Sequence, residues 1–95
     1  MLGKNIERHL VESVKKLGWL CYKFVSPGSQ GVPDCIIITA QGRIIFAELK
    51  TEKGILSKIQ QYVISQMRLR HVDVRVPYGL EQVKELLAEI EGERK

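Results

Sequence analysis

Gly31-Val32-Pro33-Asp34-Cys35-Ile36-Ile37-Ile38-Thr39-Ala40-Gln41-Gly42-Arg43-Ile44-Ile45-Phe46-Ala47-Glu48-Leu49-Lys50 is the stretch whose reading decides the fold. Two apolar runs, residues 35–39 and 43–50, flank the three-residue loop Ala40-Gln41-Gly42. With Gly42 in the left-handed position, this is a common hairpin connection. The register then pairs Thr39 with Arg43, and counting outward pairs Asp34 with Glu48. Directly opposed residues lie roughly 4.5–5.5 Å apart at Cβ, within reach of one divalent cation. Strand alternation puts Lys50 on the face of Glu48 and Leu49 on the other. A change of register by one residue would weaken the facing but not the proximity. Two carboxylates and an ammonium therefore converge where an apolar run would ordinarily hold no charge.

Each fragment alone has an ordinary explanation. Glu-x-Lys recurs by chance on half-buried hairpins, and Pro-Asp reads as a turn. Together, across one hairpin and among isoleucines, they form a candidate site.

Around this hairpin, the 95 residues amount to one domain, residues 1–95, with an ordinary apolar fraction of 44%. The two cysteines, Cys21 and Cys35, fall within expected strands. They lack zinc-like spacing, and His9 and His71 lie far apart. Reduced, buried thiols are the simpler reading. No signal-peptide pattern opens the chain, and no apolar run reaches the ~20 residues of a membrane span. A soluble, cytoplasmic protein without a membrane partner is expected. The net charge of +4 suits a polyanionic partner without identifying one.

Upstream of the hairpin, residues 5–17 have helical periodicity and stop at Gly18, a favourable residue after a helix end. Ile6, Leu10, Val11, Val14 and Leu17 define one apolar arc, and Glu7 lies inside it. A carboxylate there either meets a partner or reaches water from the edge of the arc; the pattern allows both. Residues 19–25 read as an aromatic-rich strand. Residues 26–33 form the longest turn-rich loop, small enough in its side chains for a ligand to approach its backbone.

Downstream, residues 51–56 form a second loop, and Ser57 is placed to cap a helix running to about Arg70. Ile59, Val63, Ile64 and Met67 mark its buried side, with Gln60 inside the same arc. Lys58, Arg68 and Arg70 face elsewhere, either solvated or available to phosphates. Residues 72–76 alternate as a strand, residues 77–79 turn, and Leu80, Val83, Leu86, Leu87 and Ile90 line a closing helix that ends near Gly92 before a charged tail. The order is α-β-β-β-α-β-α. An α/β fold follows, with a mixed sheet of about four strands flanked by helices. Its third and fourth strands run parallel across the second helix.

Glu7, Gly31-Val32-Pro33-Asp34, Glu48-Leu49-Lys50 and Leu56-Ser57-Lys58-Ile59-Gln60 together resemble the VRR-NUC nucleases of the PD-(D/E)xK superfamily. The resemblance runs from Glu7 to Val76, with the motifs in order. It implies a restriction-endonuclease-like core and metal-dependent endonucleolytic cleavage of DNA, with affinity for branched structures in some members. Chains of this size in the family are typically stand-alone, often carried by bacteria and their viruses. By the same resemblance, Leu49 offers its carbonyl to the metal, Glu7 joins through a bound water or a second metal, and Gln60 positions Lys50 or the water. Ser29, Gln30, Lys53 and Lys58 are the positions expected at the DNA.

The chemistry of the residues agrees with this. Phosphodiester hydrolysis needs an activated water and an offset for transition-state charge, both of which a divalent metal supplies. Asp34 and Glu48 are hard oxygen donors suited to Mg²⁺, with Mn²⁺ as a substitute. Lys50 beside them would orient water and offset phosphate charge. Two other classes stay open: a nucleic-acid-binding module without catalysis, and a structural domain whose Glu48 and Lys50 merely neutralise each other. Base-specific reading is not expected, since no separate recognition helix is present. By the resemblance, a homodimer is expected, which would supply the two symmetric cuts that resolve a four-way (Holliday) junction; a monomeric, structure-selective nuclease is the alternative.

Overall fold

The computed structural model describes residues 3–92; the charged tail expected beyond them lies outside the described residues. The elements run α1 (Gly3–Lys16), β1 (Leu20–Lys23), β2 (Cys35–Ile38), β3 (Ile44–Ala47), α2 (Lys58–Leu69), β4 (Val74–Arg75) and α3 (Gly79–Gly92). This is the expected order. The four strands form one mixed sheet in the order β1-β2-β3-β4, antiparallel except for the parallel pair β3–β4.

The hairpin has the register that its turn demands. Cys35 pairs with Ala47 and Ile38 with Ile44. Thr39 N–H donates to the Arg43 carbonyl at 2.9 Å, and Gly42 has φ of 87°. A left-handed residue closes a three-residue loop without splaying the strands, and only glycine takes that conformation freely.

Alternation then sorts the sheet into two faces. Cys35, Ile37, Ile45 and Ala47 point to one face, where Ile6, Leu10 and Val14 of α1 and Val83, Leu86, Leu87 and Ile90 of α3 close the core. The opposite face carries Leu20, Tyr22, Ile36, Ile38, Ile44 and Phe46. The second helix lies toward the β3–β4 side of it, where the Arg68 guanidinium donates to the Val74 carbonyl at 2.6 and 3.1 Å. Leu20, Tyr22 and Ile44 remain about half exposed.

Several expectations are corrected by this packing. Val11 is 42% and Ile59 46% exposed, although both lie in apolar arcs. Their helices roof the sheet with a narrower stripe than the pattern suggested. Arg68 is occupied by the β4 backbone, and Arg70 donates to the Gln66 carbonyl and side chain, so neither is held ready for phosphate. Cys35 is buried, but Cys21 on the edge strand is only half-buried; both are free thiols. The strand at residues 72–76 is regular only at Val74–Arg75.

Parallel pairing nonetheless continues past that short strand. Glu48 N–H donates to the Arg75 carbonyl at 2.9 Å and Lys50 N–H to the Pro77 carbonyl at 3.2 Å, while Gly79 N–H returns a bond to the Lys50 carbonyl at 2.8 Å. The backbone bearing Glu48 and Lys50 is thereby clamped on the β4 side, which makes their side-chain directions a property of the sheet. Among the described residues no helix is long and apolar enough to cross a membrane.

Candidate active site

Continuing the hairpin register by one pair sets Asp34 against Glu48, as the turn geometry predicted. The Asp34 carbonyl accepts from Phe24 N–H at 2.8 Å, tying its backbone to the chain after β1. Its carboxylate Oδ2 accepts from Leu49 N–H at 2.9 Å across the hairpin. Asp34 is thus fixed at both backbone and side chain, with its second carboxylate oxygen uncommitted to that bond.

Glu48 is 2% exposed. Its Oε2 accepts from Gln60 Nε2 at 3.1 Å and lies 3.6 Å from the Lys50 ammonium. Its Oε1 is buried without a hydrogen-bond partner. Burial, reinforced by the neighbouring Asp34 charge and only partly opposed by Lys50, pushes the Glu48 carboxyl up to about 7. An orphaned buried carboxylate oxygen costs on the order of 1–3 kcal/mol.

Gln60 reaches Glu48 because of how α2 begins. Ser57 accepts from Gln60 N–H at 3.2 Å through its hydroxyl, and Gln60 Oε1 accepts from Ser57 N–H at 2.9 Å, a reciprocal capping box. Since Oε1 faces a backbone donor, the amide's Nε2 must face Glu48. The glutamine expected to serve Lys50 or a water therefore orients Glu48. The helix start is seated by Gly31, at φ 89°, where an added Cβ would come within 2.8 Å of the Ile59 carbonyl oxygen.

Glu7 comes to the same end of the hairpin from the other face of the sheet. Its carboxylate lies 3.7 Å from the Lys23 ammonium. Glu7, Lys23, Asp34 and Leu49 line one cavity of about 200 Å³. Among the described residues no three His, Cys, Asp or Glu side chains gather as a metal cluster. The cavity brings Glu7 to Asp34 and Leu49, while the Glu48 carboxylate turns the other way, to Gln60 of α2. Ser29 and Gln30 are exposed on the loop before Asp34, and Lys53 and Lys58 are exposed around the start of α2.

The donor set fits a hard divalent cation of the magnesium type. Asp34 and Glu48 present oxygens, one of them orphaned, and such an ion takes only one or two carboxylates beside waters and substrate. Lys23 escaped the sequence reading. Its signal was alternation: residues 19, 21 and 23 share the core face, so a lysine there had to emerge at the sheet's end, beside Cys35, its partner in register.

No protein-family model matches the chain. A putative nuclease p44 of Acyrthosiphon pisum secondary endosymbiont phage 1 is 54% identical over 46 residues, 48% of this chain. That match spans 50% of the relative's own length. A solved VRR_NUC domain superposes with a TM-score of 0.85 at 28% identity, covering 90% of this chain and 94% of that one.

Proposed function

On its likeness to a solved VRR_NUC domain and to a phage putative nuclease, we propose that the chain is a VRR-NUC nuclease, a metal-dependent endonuclease that hydrolyses phosphodiester bonds in branched DNA, four-way junctions among them. The observation that carries the reading is the Glu48 Oε1 atom, buried, unpartnered and beside Asp34. A purely structural Glu48–Lys50 pair would leave that oxygen orphaned, whereas a cation shared with Asp34 would satisfy it.

Asp34, Glu48 and the Leu49 carbonyl would hold Mg²⁺ or Mn²⁺. When bound, the ion supplies Lewis-acid stabilisation of phosphate charge and a water of lowered pKa. The chain's own residues do the remaining work. Gln60 keeps the Glu48 carboxylate turned so that Oε1, not Oε2, is free. Lys50, 3.6 Å from Glu48, holds a positive charge where phosphate charge grows. The Leu49 N–H keeps Asp34 from swinging away. Exposed Lys53 and Lys58, with Ser29 and Gln30, would meet the flanking backbone. We place the enzyme in the cytoplasm, where its DNA lies and Cys21 and Cys35 stay reduced.

A two-fold dimer would bring two active sites to the two symmetric cuts, and we take it as the working unit. The half-exposed Leu20, Tyr22 and Ile44 on the open sheet face support that reading. The decisive experiment incubates the protein with labelled four-way junction, flap and duplex DNA in Mg²⁺ or Mn²⁺, and then in chelator. Cleavage only with metal is expected. Binding without cleavage would leave a DNA-binding module, and no effect of metal on either binding or stability would leave a structural ion pair.

A further inference from the structure

Lys23 and Glu7 form an ion pair that stability does not explain. Their side chains are 71% and 42% exposed, and exposed pairs contribute about 0–1 kcal/mol. The pair's location is more informative than its strength. Lys23 ends the edge strand β1 on the core-face parity, in register with Cys35, the residue after Asp34. Its stem therefore leaves the sheet at the carboxylate end rather than along the solvent edge. It lines one cavity with Asp34 and Leu49, the side of the site that Lys50 does not reach. Lys50 stands on the α2 side against Glu48. The carboxylate pair is thus flanked by one ammonium on each face of the sheet.

We infer that Lys23 is a phosphate-binding residue of this site, contacting the DNA backbone next to the scissile bond, and that Glu7 is a positioning residue that acts through Lys23. The inference rests on the nuclease reading for its ligand, a DNA phosphate, and on the pair's geometry for its roles. A flexible ammonium on a four-carbon stem gains direction only if something holds it. At 3.7 Å, Glu7 holds Lys23 over the cavity without locking it, so the ammonium can pass to a stronger phosphate partner. This gives the carboxylate on the first helix a role at the cavity it shares with Asp34 through its ion pair with Lys23.

The test is made on DNA binding in chelator, where no catalysis occurs, using fluorescence anisotropy of a labelled four-way junction across a salt series. Lys23→Ala is expected to keep the native melting temperature, weaken binding about 5- to 10-fold near 0.1 M salt, and lower the slope of log affinity against log salt by about one. Lys23→Arg should restore the slope. Cleavage assays in Mg²⁺ then address Glu7. Glu7→Gln should lower kcat in the native background and add nothing in the Lys23→Ala background, the signature of residues acting as one unit. An unchanged salt slope in Lys23→Ala, with native binding intact, overturns the phosphate contact and leaves the nuclease reading standing. Additive Glu7→Gln and Lys23→Ala losses, or weakened Mn²⁺ binding in Glu7→Gln, overturn the positioning role. Absence of DNA binding by the native protein overturns both readings.

Discussion

At the scale of single residues, Glu48 is a buried carboxylate with one unpartnered oxygen, and the cost of that burial is measurable. With its carboxyl raised to about 7, folded Glu48 keeps a proton that the unfolded chain loses near 4.5. Between those values the native state binds more protons, so stability falls as pH rises. In chelator, unfolding by denaturant should show about 3 kcal/mol less stability at pH 8 than at pH 4.5 from this group. Glu48→Gln should flatten that profile, and an unchanged profile would mean the burial has little cost. The catalytic prediction is separate. Asp34→Ala and Glu48→Ala should each drop cleavage below about a hundredth of native, a larger loss than removing an outer partner causes. DNA binding should stay intact or tighten, since each change removes a negative charge near phosphate. Cleavage by either variant at the native rate would remove these residues from the site.

At the scale of elements, α2 couples helix capping to the site. Its first turn uses one glutamine to close the capping box and to orient Glu48. Gln60→Ala should therefore lower cleavage about 10- to 100-fold, in the range seen for partners of metal ligands. Gln61→Ala, whose side chain only reaches the Leu56 carbonyl, should stay close to native in the same assay. The glycine under this helix is equally exposed to test. Gly31→Ala would force a left-handed alanine against the Ile59 carbonyl, costing at least about 1–2 kcal/mol. Thermal unfolding should register that loss, together with reduced activity as the start of α2 lifts from Glu48. A stable, fully active variant would show that the loop seat is dispensable.

At the scale of the whole molecule, the sheet has one face closed by α1 and α3 and one face only partly covered. At the far end of the sheet from the carboxylates, Asp73 accepts from Arg43 and Arg75, and Arg75 also meets Glu89 at 2.7 Å, tying hairpin, β4 and α3 together. The uncovered part of the open face, around Leu20, Tyr22 and Ile44, is the surface on which the proposed dimer is tested. Ile44→Glu should halve the protein mass bound per junction, read by light scattering after subtracting the DNA, and convert paired junction cuts to single nicks. Mixing native and Asp34→Ala subunits should likewise yield dimers that nick one strand. Full activity on flaps and ends at the mass of one chain would replace the dimer with a monomeric, structure-selective nuclease.

Local sequence determined the hairpin, its register and the meeting of Asp34, Glu48 and Lys50, because a period of two and a left-handed glycine leave one way to pair the strands. It also determined the element order and the Ser57 cap, which depend on neighbours within one turn. Tertiary structure decided what those directions meet. The arcs of α1 and α2 named Val11 and Ile59 as apolar but could not say how wide a roof the sheet needed, and both are left in solvent. Glu7 and Gln60 each stood out as polar residues within apolar arcs. Only packing on opposite faces gave one Lys23 and the other Glu48. Periodicity fixes a side chain's direction relative to its own element, while its partner depends on contacts between elements far apart in the chain, which no local pattern encodes.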